Sequence, residues 1–364
     1  MVSGAGTAAR ARTALALLGL AFLMLGAGPP RTVVAVAAPA ATATTVAAAT
    51  PVRLQPVRLV YRQMEGTYLK APRGVFVDQR RGEVYVADTL NDLVAVYDRN
   101  GLPLFAFGYN GEFREPMKAV VDGRGRIYVL AGIGRKLSVF SYRGEFLHAF
   151  PFAGLTGKPV PTALTADSEG NIYIADQTSG QLLVYDADQR LRVRFGSGRD
   201  GDGRFQAVQA IAVDRKGQIY VADAQGMPVQ VFSPEGRFLR GWGEHATGPQ
   251  NFSLPAGLAV DAEGRIIVVD TIRQVISVFS PDGVFLGRHG GMGFAPGTMA
   301  FPTDIASDGE RRLYVVERVG SRLQILDEEA GPAFRPPAAG DRQAPQRTRE
   351  EIRRSLGDLV RTTP

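Results

Sequence analysis

Between residues 52 and 330 the chain alternates short apolar runs with polar turns, and no stretch keeps a helical period for three turns. The runs are rich in Val, Ile, Tyr and Phe, and the gaps carry Gly, Pro, Asp and Asn, as antiparallel hairpins require. In one stretch the pattern predicts strands at Ala210–Val213, Gln218–Ala222, Val229–Phe232 and Arg237–Trp242. Turns are expected between them at Asp214–Gly217 and Ser233–Gly236. The last strand of a group alternates visibly, as in EFLHAF and RFLRGW.

This group is written six times. Asp78, Asp122, Asp167, Asp214, Asp261 and Asp308 each close a first strand, at steps of 44 to 47 residues. Asp88, Ala131, Asp176, Asp223, Asp270 and Glu317 close the second strand, ending EVYVAD, RIYVLA, NIYIAD, QIYVAD, RIIVVD and RLYVVE. Four antiparallel strands repeated at this period predict an all-β fold, a six-bladed β-propeller. One blade cannot bury both of its faces, so blades must stack around a ring. The sixth unit lacks a good fourth strand. Val57–Arg62 (VRLVYR), ahead of the first unit, is expected to supply it and close the ring.

The repeats resemble NHL repeats. Residues 254–290, LPAGLAVDAEGRIIVVDTIRQVISVFSPDGVFLGRHG, show that family's succession of Pro, an apolar strand ending in Asp, a Gly turn, and a second apolar strand ending in Asp. A later strand ends Phe-x-x-x-Gly. Departures are local: Ala131 and Glu317 replace Asp, Val208 replaces Pro, and Asp186-Ala187-Asp188-Gln189 lacks the turn Gly. The resemblance implies a propeller without the zinc-binding RING of the ubiquitin-ligase members, because the chain has no Cys. Lyase relatives use a metal and several His, and this chain has only His148, His245 and His289. Lactonase-type propellers ring a divalent ion with carboxylates and amides. The corresponding ring here, two residues past each Pro position, reads Gly74, Lys118, Ala163, Ala210, Gly257 and Asp304. One carboxylate facing one ammonium cannot hold calcium.

The ends of the chain differ in character. Residues 1–37 read as an export signal: Arg10 and Arg12, an uncharged apolar run from Ala14 to Ala27, and Ala35-Val36-Ala37 as a cleavage site. An uncleaved N-terminal anchor is the alternative. Residues 38–51 are a low-complexity linker, 52–330 the propeller, and 331–364 a basic, Pro- and Arg-rich tail in which Thr348–Val360 can form a short helix. The expected location is therefore periplasmic or extracellular. The net charge of +6 belongs to the ends, since residues 38–330 hold 32 basic and 32 acidic side chains. A neutral ring gives no basis for nucleic-acid binding.

Candidate chemistry is limited. Gly196–Gly201 satisfies GxGxxG but joins two strands and opens no helix, so no dinucleotide site is expected. Asp200, Asp202 and Gly203 lack the downstream Glu of an EF-hand loop. The Asp repeated at the end of the second strand is expected to accept backbone N–H groups, a structural task done in every blade. One residue past each Pro position lie Arg73, Met117, Thr162, Gln209, Ala256 and Thr303, a mixed polar funnel. The candidate ligand-binding residues at the channel mouth are Arg73, Lys118, Thr162, Gln209, Thr303 and Asp304. Loops after the second and fourth strands should share one face, a candidate partner surface carrying Arg135, Gln177, Met227, Trp242, His245, Arg273 and Arg318. Trp242 has a second expected place, between two blades. No catalytic residue, metal ligand or cofactor is assigned. The expected function is a monomeric, non-enzymatic propeller that recognises a protein, peptide or envelope glycan. The alternative is a lyase or lactone hydrolase acting at the central channel.

Overall fold

The computed structural model describes residues 52–196, 203–248 and 250–328. The expected leader, linker and tail, and residues 197–202 with Asp200 and Asp202, lie outside them. The described chain opens with β1 (Gln55–Val60). Blade one follows as β2 (Gly74–Asp78), β3 (Glu83–Asp88), β4 (Leu93–Asp98) and β5 (Pro103–Phe107). Blade two is β6 (Pro116–Val121), β7 (Ile127–Ala131), β8 (Leu137–Phe140) and β9 (Phe146–Ala149). Blade three is β10 (Pro161–Ala166), β11 (Ile172–Asp176), β12 (Gln181–Tyr185) and β13 (Leu191–Phe195). Blade four is β14 (Val208–Val213), β15 (Ile219–Asp223), β16 (Val229–Phe232) and β17 (Phe238–Trp242). Blade five is β18 (Pro255–Val260), β19 (Ile266–Asp270), β20 (Val275–Phe279) and β21 (Phe285–Gly290). Blade six contributes β22 (Pro302–Ser307), β23 (Arg312–Glu317) and β24 (Arg322–Asp327).

Six four-stranded antiparallel sheets result, and the last has the order β1-β24-β23-β22. The N-terminal strand therefore closes the ring, as the repeat count requires. It lies slightly earlier than Val57–Arg62. Pairing runs from Gln55 opposite Asp327 to Val60 opposite Leu323, with a register shift between Pro56 and Arg58. A proline fits here because β1 is an outer strand and the shift leaves one residue unpaired. Beyond Val60 the chain turns back: Tyr61 O accepts the Leu69 amide at 2.8 Å, and Arg62 bridges Tyr68.

Apolar side chains fill six wedges between neighbouring blades and leave no single central core. Val60, Val75, Val86, Tyr314 and Leu323 share the wedge between blades six and one. Each fully buried Val, Ile or Leu contributes roughly 1.5–3 kcal/mol. The third strand of most units ends in an aromatic ring, which anchors a wedge. Phe232 packs on Phe195, Phe205 and Phe238 with centroids 4.9–5.7 Å apart. The Gly that ends the fourth strand has a packing reason. Gly196 has φ +90°, and a Cβ there would lie 2.0 Å from the Phe205 ring. Alternation fails in β9, where all four residues are exposed, because the outermost strand of that blade has little covering either face.

The repeated carboxylates act as staples. Each Asp after the first strand caps its turn: Asp167 accepts the amides of Glu169 and Asn171 at 2.9 Å, and the Tyr173 hydroxyl at 2.8 Å. The carboxylate ending the second strand ties two segments together. Asp223 accepts amides of Gln225 and Gly226 in its own turn, and of Gln206 and Ala207 in the incoming loop, at 2.7–2.9 Å. That incoming loop leads directly into the strand lining the channel.

Candidate ligand cavity at the channel mouth

The first strand of every blade faces the central axis. In blades two to six its register slips by one residue just after the Pro position, as between Pro161 and Ala163 or Pro302 and Asp304. Such a bulge re-aims side chains. Two consecutive residues of one strand, which strict alternation would point to opposite faces, can then both border the axis. Thr162 with Ala163, Gln209 with Ala210, and Thr303 with Asp304 all line one cavity of about 170 Å³. The cavity opens on the face that carries the loops after the second and fourth strands. All six residues expected at the mouth line it: Arg73, Lys118, Thr162, Gln209, Thr303 and Asp304.

One side of this cavity is lined by an ion pair. Lys118 Nζ on β6 donates to Asp304 Oδ2 on β22, and to the Val75 carbonyl at 2.8 Å. Asp304 also accepts the Val75 and Ile305 amides at 2.9 Å. Blade one lies between these partners, and Gly74 lets the lysine across. A Cβ on Gly74 would sit 2.2 Å from the Met117 carbonyl oxygen and 3.0 Å from Lys118 Cδ. Burial raises the pKa of Asp304, opposed by the charge and hydrogen bond of Lys118 and by the two amides. Lys118 also borders a second cavity of about 180 Å³ at the other end of the channel. Arginines lace that lower end: Arg215 donates to the Gly309 carbonyl at 2.7 Å, and Arg80 donates to the carbonyls of Gly123 and Ser168. The two cavities share Lys118 and Ile211 in their linings.

Its electrostatics are one-sided. Arg73, Arg318 and Lys118 line it against one carboxylate, Asp304, which is already paired. Arg73 is half-buried, and its guanidinium makes no hydrogen bond to a described residue. Its pKa is lowered to about 10, first by burial and then by the charges of Arg318 and Arg135, while Glu115 acts in the other direction. Thr162, Thr303, Gln209 and Gln225 supply neutral polar groups.

The candidate partner surface is less uniform than the sequence suggests. Arg135, Gln177 and His245 are exposed on the loop face. Arg318 is buried and belongs to the cavity wall. Arg273 is committed to the loop that runs from blade four into blade five: it donates to Ser253 Oγ at 3.0 Å, to the Gly248 carbonyl at 2.8 Å, and to the carbonyls of Ala246 and Asn251. Met227 folds over Gly241. Of its two expected places, Trp242 takes the one between blades four and five, with its ring 5.7 Å from Phe279 and against Gly283. The histidines stay apart. His148 is exposed on β9, and His245 Nε2 lies 3.0 Å from the Gly226 carbonyl. His289 on β21 is partly buried, and burial lowers its pKa. Among the described residues lining the cavity there is no histidine.

One carboxylate cluster was not anticipated. Asp261, Glu263 and Glu328 bring oxygens within 4.8 Å of one another near the lower end of the ring. Arg265 sits among them and pairs with all three, at 3.0 Å for Glu263. Glu328 enters this group only because the last strand of the closing blade ends beside blade five, a proximity that linear spacing does not carry.

No family model matches the chain. One stretch is 27% identical over 139 residues to the protein brain tumor of Drosophila melanogaster, covering 36% of this chain and 13% of that protein's length. A streptogramin B lyase structure superposes with TM-score 0.52 at 14% identity, covering 77% of this chain and 89% of that one. A gluconolactonase of Xanthomonas campestris gives 0.53 at 16%, covering 77% and 97%. A protein of unknown function from Bacteroides thetaiotaomicron gives 0.55 at 16%, covering 76% of each chain. At these identities the likeness is one of fold, and the fold is a six-bladed all-β propeller closed by its N-terminal strand.

Proposed function

We propose that this protein is a non-enzymatic binding propeller of NHL type, working outside the cytoplasm, that receives an anionic group of its ligand in the cavity at the channel mouth. The observation that carries this reading is the Arg73 guanidinium, half-buried beside Arg318 with no hydrogen bond to a described residue. A cation held in partly dehydrated surroundings and repelled by two others is stabilised by an incoming anion. Thr162, Gln209 and Thr303 on the bulged strands are placed to orient it.

The enzyme reading draws on fold neighbours that include a lyase and a gluconolactonase. The residues of this cavity do not support it. A divalent ion needs several oxygen ligands, and the one carboxylate in the lining is paired with Lys118. A proton-transfer role would call for a histidine or a free acid, and the described lining has neither.

The test is calorimetric titration of the full chain with acetate, succinate, glutamate, phosphate and glucuronate, repeated on Arg73→Ala. Saturable binding of at least one anion, weakened about tenfold or more in the variant, is expected. Equal binding by both proteins, or none by the wild type, would remove the reading.

A further inference from the structure

Among the described residues, the loop face has an apolar side and a polar side. Among the exposed large apolar side chains, Leu90 stands on blade one and Ile133 on blade two. Ile272 stands on blade five, and Met292 and Phe294 on the loop from blade five to blade six. These blades are consecutive around the ring. Blades three and four present Gln177, Thr178, Ser179 and Gln225 in the matching places. Arg73, Arg135 and Arg318 belong to blades one, two and six, so the cationic groups and the apolar side chains occupy the same arc.

The apolar groups are held in place. Met292 is 81% exposed and Phe294 54% exposed, yet their loop is braced from beneath. The buried Arg322 guanidinium donates to the carbonyls of Phe294 and Thr298 at 2.5 and 2.8 Å. Gln324 accepts the Gly297 amide at 2.6 Å. A rigid loop that displays two large apolar side chains loses little entropy on binding.

We infer that the partner is a protein segment bearing an acidic side chain flanked by large apolar ones. Its acid enters the Arg73 cavity and its apolar neighbours lie on the arc of blades five, six, one and two. This inference rests on the anionic-ligand reading above and adds the class of ligand. Charge complementarity selects the acid. The aliphatic character of Leu90, Ile133, Ile272 and Met292 selects a peptide over an acidic glycan, whose hydroxyls would lose water against such groups without gaining hydrogen bonds.

Linear peptides displayed at random are selected on the full chain, and winners are synthesised and titrated by fluorescence anisotropy. The titrations include Arg73→Ala, the double variant Met292→Ser/Phe294→Ser, a peptide with its acid changed to lysine, and a uronic-acid oligosaccharide competitor. Both substituted sites are at least partly exposed, so the fold should persist, and circular dichroism checks it. Winners sharing an acid between apolar residues, each losing about tenfold or more in both variants and on charge reversal, are the expected result. Winners without an acid, or indifferent to the Met292/Phe294 change, overturn the inference. So does tighter binding of the oligosaccharide. If no peptide is recovered while small anions still bind through Arg73, the peptide assignment fails and the cavity reading stands. If neither binds, both fail.

Discussion

Glu317 and Arg322 form an ion pair at 2.7 Å inside the closing blade, where both side chains are almost completely removed from solvent. Glu317 replaces the Asp that ends the second strand in four other blades. The longer side chain still accepts an incoming amide, that of Ala300 at 2.7 Å, and its other oxygen takes Arg322 and Gln324. Arg322 then reaches the carbonyls of Phe294 and Thr298. Removing the guanidinium while keeping the acid leaves a buried charge. Arg322→Leu is expected to cost about 3–5 kcal/mol by urea denaturation. Hydrogen exchange should show the amides of residues 291–299 losing protection before the rest of blade six.

Lys118 and Asp304 make a sharper test because they touch across an intervening blade. Lys118→Met strands a buried carboxylate and should destabilise by about 3–5 kcal/mol. The double change Lys118→Met with Asp304→Leu should recover most of that loss, since neither charge then remains buried. Equal losses in the single and double variants would show that the pair is not coupled. Gly74→Ala should behave like the lysine variant, because its methyl would collide with the Met117 carbonyl and the Lys118 stem.

Two buried acids tie stability to pH. Burial lifts Asp88 from 3.8 to about 7, against hydrogen bonds from the Lys70 amide and Asn91. Burial, then the charge of Asp261, lifts Glu328 from 4.5 to about 7. In both cases the native state keeps a proton that the unfolded chain releases earlier. Stability is therefore greatest below about pH 4 for these groups and falls as the pH rises to about 7. Each group contributes a slope of roughly 1.4 kcal/mol per pH unit across that window. Urea midpoints measured through the window should decline, and Asp88→Asn should flatten the decline while lowering stability at its acid end.

The closing strand should be indispensable. Deleting residues 52–60 uncovers the edge of β24 and strips the wedge that holds Val60. The expected outcome is a chain that associates through the open edge, seen as a shift to larger species in size-exclusion chromatography. A monomeric, fully folded deletion variant would contradict the closure role.

The linear sequence determined the architecture, because the physics that fixes it is periodic. Apolar runs, turn residues and the two carboxylate landmarks recur in each unit, so β16 falls on the expected Val229–Phe232 and β15 lies one residue from the expected Gln218–Ala222. The missing fourth strand announced the closure for the same reason: an unpaired edge must be covered. That the first strands of the blades converge on one axis was legible as well, since equivalent strands of a closed ring must do so. What lay beyond reach was everything that depends on departures from the repeat. The bulges that let Thr303 and Asp304 face the same cavity follow from pairing register, which composition does not encode. Arg318 lines the pocket while Arg273 ties down the loop from blade four to blade five, because side chains of like chemistry at similar loop positions are directed by different neighbours. Lys118 meets Asp304, 186 residues away in the chain, only because the ring brings their strands together and Gly74 leaves the gap between them.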